Sequence, residues 1–148
     1  MRILVQRVKK ANVVVDGQII SETGNGLLLL VGVDKEDTKS DIEYLAAKIQ
    51  NLRIFNDDQG KLNLNIRQVK GQILSVSQFT LLADTKKGNR PGFDRSAQPE
   101  FAKDYWSRIN MQLRETGIDV KEGVFGKHME VTLVNDGPVT IWLDSKNR

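Results

Sequence analysis

Over residues 1–33, apolar positions either alternate with polar ones or form short continuous runs. The segment 1–8, MRILVQRV, alternates, whereas 26–33, GLLLLVGV, is almost entirely apolar, as expected for a strand buried on both faces. Between them, Asp16-Gly17 follows a run of valines and is typical of a two-residue hairpin turn. The pattern predicts that the chain opens with antiparallel strands.

In two later parts of the chain, the spacing of apolar residues changes to that of a helix. From 38 to 55, apolar residues recur at helical spacing behind Thr38 or Ser40, either of which can cap a helix. A second helix is predicted to begin at Pro99, a favoured first-turn residue, and to end before Gly117.

Short apolar runs predict further strands over 72–82, 128–134 and 139–144, and the long polar stretch 83–98 is interpreted as a loop. These elements predict an α+β fold with a single domain over residues 1–148. Its expected architecture is a mainly antiparallel sheet packed on one side by two long helices.

Composition narrows the functional classes. The chain has 39% hydrophobic and 28% charged residues, as in an ordinary soluble domain, and no cysteine, which excludes thiol nucleophiles. Its longest apolar run, at 27–33, is too short to cross a membrane, and no signal peptide is evident. We therefore expect a cytoplasmic protein with no membrane partner. A net charge of +3 permits a nucleic-acid partner without requiring one.

The motifs of common hydrolases and nucleotide-binding proteins are missing. The chain has no H-E-x-x-H, G-x-S-x-G or P-loop motif, and its single histidine, His128, cannot build a multi-histidine metal site. His128 is interpreted either as a hydrogen-bonded residue at a strand end or as a general base. An enzyme with this sequence would depend on backbone amides, hydroxyl groups and rigid loops.

Two polar stretches stand where more apolar residues are expected. Residues 77–81, SQFTL, end a predicted strand, and residues 135–140, NDGPVT, lie between two apolar runs. Taken alone, the first is a polar strand end and the second a hairpin turn. A trans Gly-Pro bond is the ordinary expectation for such a turn, because only about 5–6% of X–Pro bonds are cis.

Together with MRILVQRV at 1–8, NRPGFD at 89–94 and FGKHM at 125–129, these stretches resemble the D-aminoacyl-tRNA deacylase family. The family motifs S-Q-F-T-L and N-x-G-P-V-T are present without substitution, and the resemblance runs from Met1 to about Leu143. It implies a barrel-like sheet, a homodimer with active sites at the subunit interface, and no metal or other cofactor. The implied activity is hydrolysis of D-aminoacyl-tRNA, and of tRNA mischarged with glycine, while L-aminoacyl-tRNA is spared.

The resemblance assigns catalysis to four consecutive residues: Ser77, Gln78, Phe79 and Thr80. Backbone N–H groups from Gln78 to Thr80 would stabilise the oxyanion, and the side chains of Ser77 and Gln78 would hold the terminal adenosine. An aminoacyl ester is already activated, and the neighbouring 2′-hydroxyl of the ribose can assist attack, so positioning is the main task. Thr80 is also a candidate nucleophile, although no base is evident to activate it.

Gly137 and Pro138 are implied to select the chirality of the substrate. In the family their peptide bond is cis and their carbonyl groups project into the partner subunit's pocket, where they exclude an L side chain but not a D side chain or glycine. Arg7 is expected to brace this segment, the alternative being a plain surface arginine. Phe125 and Met129 are expected to line the aminoacyl-adenosine pocket, with core packing as the alternative.

The polar loop carries four basic residues: Lys86, Lys87, Arg90 and Arg95. They suggest contacts with phosphates of the tRNA acceptor stem, or simply a solvated loop. Two rival functions stay open. One is a non-catalytic tRNA-binding module, and the other is a hydrolase of small esters whose hydroxyl nucleophile would be Thr80.

Overall fold

β1 (Arg2–Val15) pairs with three other strands of the sheet in the computed structural model, which describes residues 1–148. The other elements follow in chain order: β2 (Gln18–Thr23), β3 (Gly26–Gly32), α1 (Lys39–Asn51), β4 (Phe55–Asn56), β5 (Leu62–Leu64), β6 (Gln72–Ser77), a 3₁₀ turn (Phe79–Leu82), α2 (Pro99–Glu115), β7 (Asp119–Glu122) and β8 (Glu130–Asp144). The hairpin turn predicted at Asp16-Gly17 is confirmed, with φ values of 51° and 78°.

The central sheet is mixed rather than mainly antiparallel. β1 pairs antiparallel with β2, β3 and β8, but β3 pairs parallel with β6, and β6 pairs parallel with β7. The parallel pairs arise because α1 connects β3 to β6 and α2 connects β6 to β7, and such crossovers return the chain in the same direction. β7 is a strand that the sequence pattern does not predict. β4 and β5 form a separate two-stranded sheet.

The two helices begin where the sequence predicts. The backbone N–H and hydroxyl group of Thr38 donate to the Asp41 carboxylate at 2.7 and 2.9 Å, so Thr38, rather than Ser40, caps α1. α2 begins at Pro99, and Gly117 follows it with a φ of 85°. α1 has 13 residues and α2 has 17, whereas an average helix has about 11–12. Because neither helix is much longer than the average, the expectation of two long helices is not confirmed.

The sheet curls so that different elements cover its two faces. On one face, Ile73 of β6 joins Ile3 of β1 in a core with α1 and α2. On the other face, Leu74 packs with Val13, from the opposite end of β1. β1 therefore passes from one core to the other, which makes the sheet barrel-like, as expected.

β8 differs from the predicted pair of strands separated by a turn. It is one strand in which Asn135 pairs with Val8 and Thr140 pairs with Gln6. Residues 136–139 therefore stand opposite Arg7 alone and form a bulge, which we call the 136–139 bulge. The turn-forming residues bend the strand outward without reversing it.

An ionic network ties the residues around Met1 and Lys146 to the start of α1. The Met1 ammonium group contacts Asp37 and donates to Ser145 Oγ at 2.8 Å. Lys146 Nζ lies 2.8 Å from Asp41 Oδ2 and 3.7 Å from Asp37 Oδ1. Burial raises the pKa of Asp37. Burial also acts to raise the pKa of Asp41, but hydrogen bonds led by that from Lys146 outweigh it and hold that pKa well below its ordinary value.

We expect Lys146→Met to lower the free energy of unfolding by about 1 kcal/mol at pH 7 and by less at pH 3. Because the pKa of Asp41 is lowered on folding, its ionised form stabilises the fold above the unfolded-state pKa of about 3.9, and the effect is lost as pH falls through the folded-state pKa. Thermal unfolding between pH 3 and 8 measures this. Lys39→Met, at a mostly exposed pair with Glu43, is the control and should have little effect. Equal losses at pH 3 and pH 7 for Lys146→Met would contradict the assignment.

Candidate active site

A cavity of about 540 Å³ opens at the carboxyl ends of the parallel strands β3 and β6. Residues 76–79, the first half of α2 and residues 125–129 form most of its wall, and none of its lining residues is Asp or Glu. A mostly apolar cavity with a few polar groups is typical of a binding site for a small molecule or for part of a larger ligand. Five of the residues that the sequence predicts for the site line this cavity: Ser77, Gln78, Phe79, Phe125 and Met129.

Two backbone donors are free beside this cavity. The N–H of Gln78 donates to Val31 O at 2.7 Å, which extends the β3–β6 ladder and makes this group unavailable to a substrate. Phe79 and Thr80 open the 3₁₀ turn, where the first amides have no acceptor within the helix, and neither N–H donates to another group of the chain. The three expected backbone donors are thus reduced to the amides of Phe79 and Thr80.

The hydroxyl groups of Ser77 and Thr80 have different surroundings. Ser77 lines the cavity, and its hydroxyl group makes no hydrogen bond within the chain. Thr80 is exposed, lies outside the cavity lining, and accepts a hydrogen bond from Gln78 Nε2. A donated N–H removes no proton from a hydroxyl group, so this contact does not activate Thr80 as a nucleophile.

Gly32, at the end of β3, permits a close approach of the backbone that carries these donors. A Cβ at this position would lie 2.9 Å from Gln78 O and 3.2 Å from Leu81 Cβ. A larger residue would therefore push the start of the 3₁₀ turn away from β3.

An aromatic wall bounds the cavity on the side of α2. Trp106 is buried and its indole N–H donates to Ser75 Oγ at 2.9 Å, while its ring centroid lies 6.0 Å from that of Phe125. Met129 is held by a hydrogen bond from the Val124 N–H to its sulfur, at 3.4 Å. Phe125 also packs against the main core, so its two interpretations are compatible.

The 136–139 bulge contains the Gly137–Pro138 peptide bond, which is cis. Both residues are exposed, and neither lines the cavity of its own chain. Asn135 holds the base of the bulge, because its side chain accepts the Val139 N–H at 2.8 Å and donates to Thr140 Oγ1 at 2.9 Å. The bulge thus has a defined shape while it projects from the sheet.

Arg7 is buried beneath the bulge and is not a plain surface arginine. Its Nε donates to Asp136 O at 2.9 Å, and its Nη1 donates to Ile54 O at 2.6 Å and to Asn56 Oδ1 at 2.9 Å. The guanidinium group therefore connects the bulge to the segment that follows α1.

The sequence-predicted residues separate into two groups within one chain. The first group lines the cavity, whereas Gly137 and Pro138 of the bulge, and Arg7 beneath them, lie outside its lining, and Thr80 lies beside the cavity without lining it. Sequence reasoning missed Trp106 and Asn135. The Asn at the start of a turn-like stretch was a usable signal for the second, but helical spacing alone makes Trp106 an ordinary core residue.

The structure also shows which contacts the basic loop residues and His128 make. Arg95 pairs with the buried Asp34 at 2.6 Å, so it has a structural role, whereas the other three basic residues of the loop, Lys86, Lys87 and Arg90, are exposed and form no ion pair within the chain. His128 is exposed, lines the cavity and makes no hydrogen bond, so it is not a hydrogen-bonded residue at a strand end.

Comparisons with known proteins give one family profile and two similar solved structures. The profile of a family described as D-Tyr-tRNA(Tyr) deacylase matches residues 4–144. A solved structure of the c-Myc DNA Unwinding Element Binding Protein is similar, with a TM-score of 0.92 and 41% identity over 97% of this chain and 98% of the other. A probable eukaryotic D-amino acid tRNA deacylase shares the fold, with a TM-score of 0.82 and 15% identity over 96% and 97% of the two chains.

The family profile identifies the protein as a hydrolase that acts on the ester bond of D-aminoacyl-tRNA. The chain belongs to the D-Tyr-tRNA(Tyr) deacylase family. Neither α1 nor α2 has the length and apolar character of a membrane-spanning helix.

Proposed function

We propose that the cavity binds the terminal aminoacyl-adenosine of tRNA and that the free amides of Phe79 and Thr80 stabilise the oxyanion formed during ester hydrolysis. The observation that carries this proposal is the pair of unpartnered N–H groups beside an apolar cavity whose lining contains no carboxylate. Preorganised donors of this kind lower a barrier by about 2.7–4 kcal/mol each. The half-buried ring of Phe125, which packs against Trp106, provides an aromatic surface in the cavity wall on which adenine can stack.

We further propose that the 2′-hydroxyl of the terminal ribose assists the attack of water on the ester. The only hydroxyl groups of the catalytic motif belong to Ser77 and Thr80, and neither has a base as a hydrogen-bond partner. The protein then contributes position and charge stabilisation, and the RNA contributes the missing polar group.

Chirality is selected, in our proposal, by the bulge of a second copy of the chain. Gly137 and Pro138 are exposed and braced by Arg7, but they lie outside the cavity of their own chain. β8 pairs only with β1, and it exposes Val134 and Trp142, which favours contact with a second copy along this strand. A backbone wall brought into the partner's cavity would exclude an L side chain and accept a D side chain.

The same wall makes glycine acceptable, because glycine has no side chain to exclude. We therefore propose that tRNA mischarged with glycine is a second substrate. A homodimer that acts on aminoacyl-tRNA in the cytoplasm is the corresponding physiological state.

Parallel hydrolysis assays with D-Tyr-tRNA and L-Tyr-tRNA test the function. We expect release of D-tyrosine with kcat/KM at least about 100-fold above that for L-tyrosine, a difference of about 2.7 kcal/mol. Uncatalysed hydrolysis of each substrate, measured in buffer, is the control. Equal rates for the two enantiomers would refute the proposed selectivity.

A second candidate is a nucleic-acid-binding module without turnover. It is favoured by the similarity to the c-Myc DNA Unwinding Element Binding Protein and by the exposed basic residues Lys86, Lys87 and Arg90. Such a module would bind tRNA or DNA equally well with or without an esterified amino acid, and it would leave both D- and L-Tyr-tRNA intact.

A further inference from the structure

Two basic residues stand at the rim of the cavity, in the segment that leads into β8. Lys127 and His128 are both exposed, both line the cavity, and neither forms an ion pair or a side-chain hydrogen bond. Their backbone is held by a turn in which Gly126 has a φ of 73° and the Lys127 N–H donates to Val124 O at 3.3 Å. Their positions at the rim are therefore fixed by the main chain, while their polar groups stay free.

The charge distribution around the cavity favours an anion at this rim. Lys127 is the only residue among Lys, Arg, Asp and Glu that lines the cavity, so no carboxylate of the lining offsets its charge. By contrast, other basic residues of the chain, such as Arg95 and Arg114, are paired with carboxylates at 2.6 Å. An apolar interior with a cationic rim matches a ligand that has a planar base at one end and a phosphate next to it.

We propose that Lys127 and His128 form a phosphodiester subsite that binds the internucleotide phosphate adjoining the terminal adenosine. This inference rests on the proposed function, because it requires the adenosine to occupy the cavity. The Lys127 ammonium group supplies the charge, and the His128 imidazole supplies a further N–H donor. The subsite anchors the RNA strand where it leaves the cavity, so it contributes to substrate binding and not to the chemical step.

Two substrates that differ in the phosphate test the subsite. D-Tyr-tRNA contains the internucleotide phosphate, whereas D-tyrosyl-adenosine presents the same ester and base without it. For the double variant Lys127→Met/His128→Gln, we expect KM for D-Tyr-tRNA to rise about tenfold, kcat to change little, and the parameters for D-tyrosyl-adenosine to stay unchanged. The slope of log KM against log salt should fall by about 0.7 for each phosphate that the variant no longer neutralises.

Lys61→Met is the matched control, because it removes an exposed lysine outside the cavity lining and should leave the KM ratio of the two substrates unchanged. A similar rise in KM for both substrates, or no rise for D-Tyr-tRNA, would overturn the subsite. Fluorescence anisotropy with a trinucleotide matching the 3′ end of tRNA gives a readout that needs no turnover. If the wild-type protein hydrolyses neither ester, the proposed function fails, but weaker binding of the trinucleotide by the double variant would still support the subsite, and unchanged binding would refute it.

Discussion

Gly137→Ala is expected to reduce the preference for D- over L-aminoacyl-tRNA by about tenfold or more, which corresponds to about 1.4 kcal/mol. Residue 137 has a φ of 138°, and a Cβ there would lie 2.8 Å from Val139 Cγ2, 2.9 Å from Val139 N and 3.2 Å from Arg7 Nη2. The Val139 N–H is bonded to Asn135, and Arg7 is buried, so the bulge itself must move. A wall displaced by about 1 Å no longer excludes an L side chain effectively.

Measurement of kcat/KM for D- and L-Tyr-tRNA gives the ratio directly. Gly117→Ala is the matched control, because Gly117 also has a positive φ, of 85°, but a Cβ there meets nothing within 4 Å and the residue lies outside the cavity lining. It should lower the thermal stability through backbone strain and leave the D/L ratio unchanged. A folded Gly137→Ala protein with the wild-type ratio would contradict the role of the bulge.

Gly32→Ala is expected to reduce kcat by about 10- to 100-fold, the second large effect. The added Cβ would lie 2.9 Å from Gln78 O, which is a backbone atom and can move only with the start of the 3₁₀ turn. That movement would misdirect the amides of Phe79 and Thr80 from the oxyanion, and loss of one such donor costs about 10²–10³ in kcat.

Thr80→Ala tests the role of the Thr80 hydroxyl group separately from that of the backbone amides in the same 3₁₀ turn. Since the Thr80 hydroxyl group has no base as a partner, we expect this variant to retain at least about a tenth of the wild-type kcat, whereas loss of a nucleophile costs on the order of 10⁶. Single-turnover kinetics with D-Tyr-tRNA compare the two variants, and circular dichroism confirms folding. Abolished activity in Thr80→Ala with full activity in Gly32→Ala would favour the rival hydrolase with a hydroxyl nucleophile.

A substrate ending in 2′-deoxyadenosine should react slowly with all of these proteins if the ribose assists.

Local signals in the sequence predicted much of this fold. Asp16-Gly17 and the Thr38 cap act through neighbouring residues alone, so propensity was sufficient to predict them. The parallel pairing of β3 with β6 depends on what the intervening helix covers, which no local pattern records. For the same reason the short strand β7 was missed.

The candidate site was predictable to a similar degree. The motif at 77–81 begins at the cavity, but its hydrogen bonds depend on β3, which uses the Gln78 N–H. The turn-forming residues at 135–140 suggested that the chain reverses direction. In the structure, the residues before and after the 136–139 bulge both pair with β1, which keeps the chain in one strand. The burial of Arg7 follows from acceptors on Ile54, Asn56 and Asp136, all far from Arg7 in the sequence, which composition and spacing cannot reveal.

A mixed dimer tests most directly the claim that one copy's bulge guards the other copy's cavity. Co-expression with two affinity tags would yield a dimer of one Gly137→Ala protomer and one Gly32→Ala protomer. Its single intact cavity, in the Gly137→Ala protomer, would then face the intact bulge of the Gly32→Ala protomer. We predict about half the wild-type rate per dimer with the wild-type D/L ratio, because an isologous dimer has two equivalent sites. A D/L ratio equal to that of the Gly137→Ala homodimer, or a purely monomeric active protein, would contradict the account.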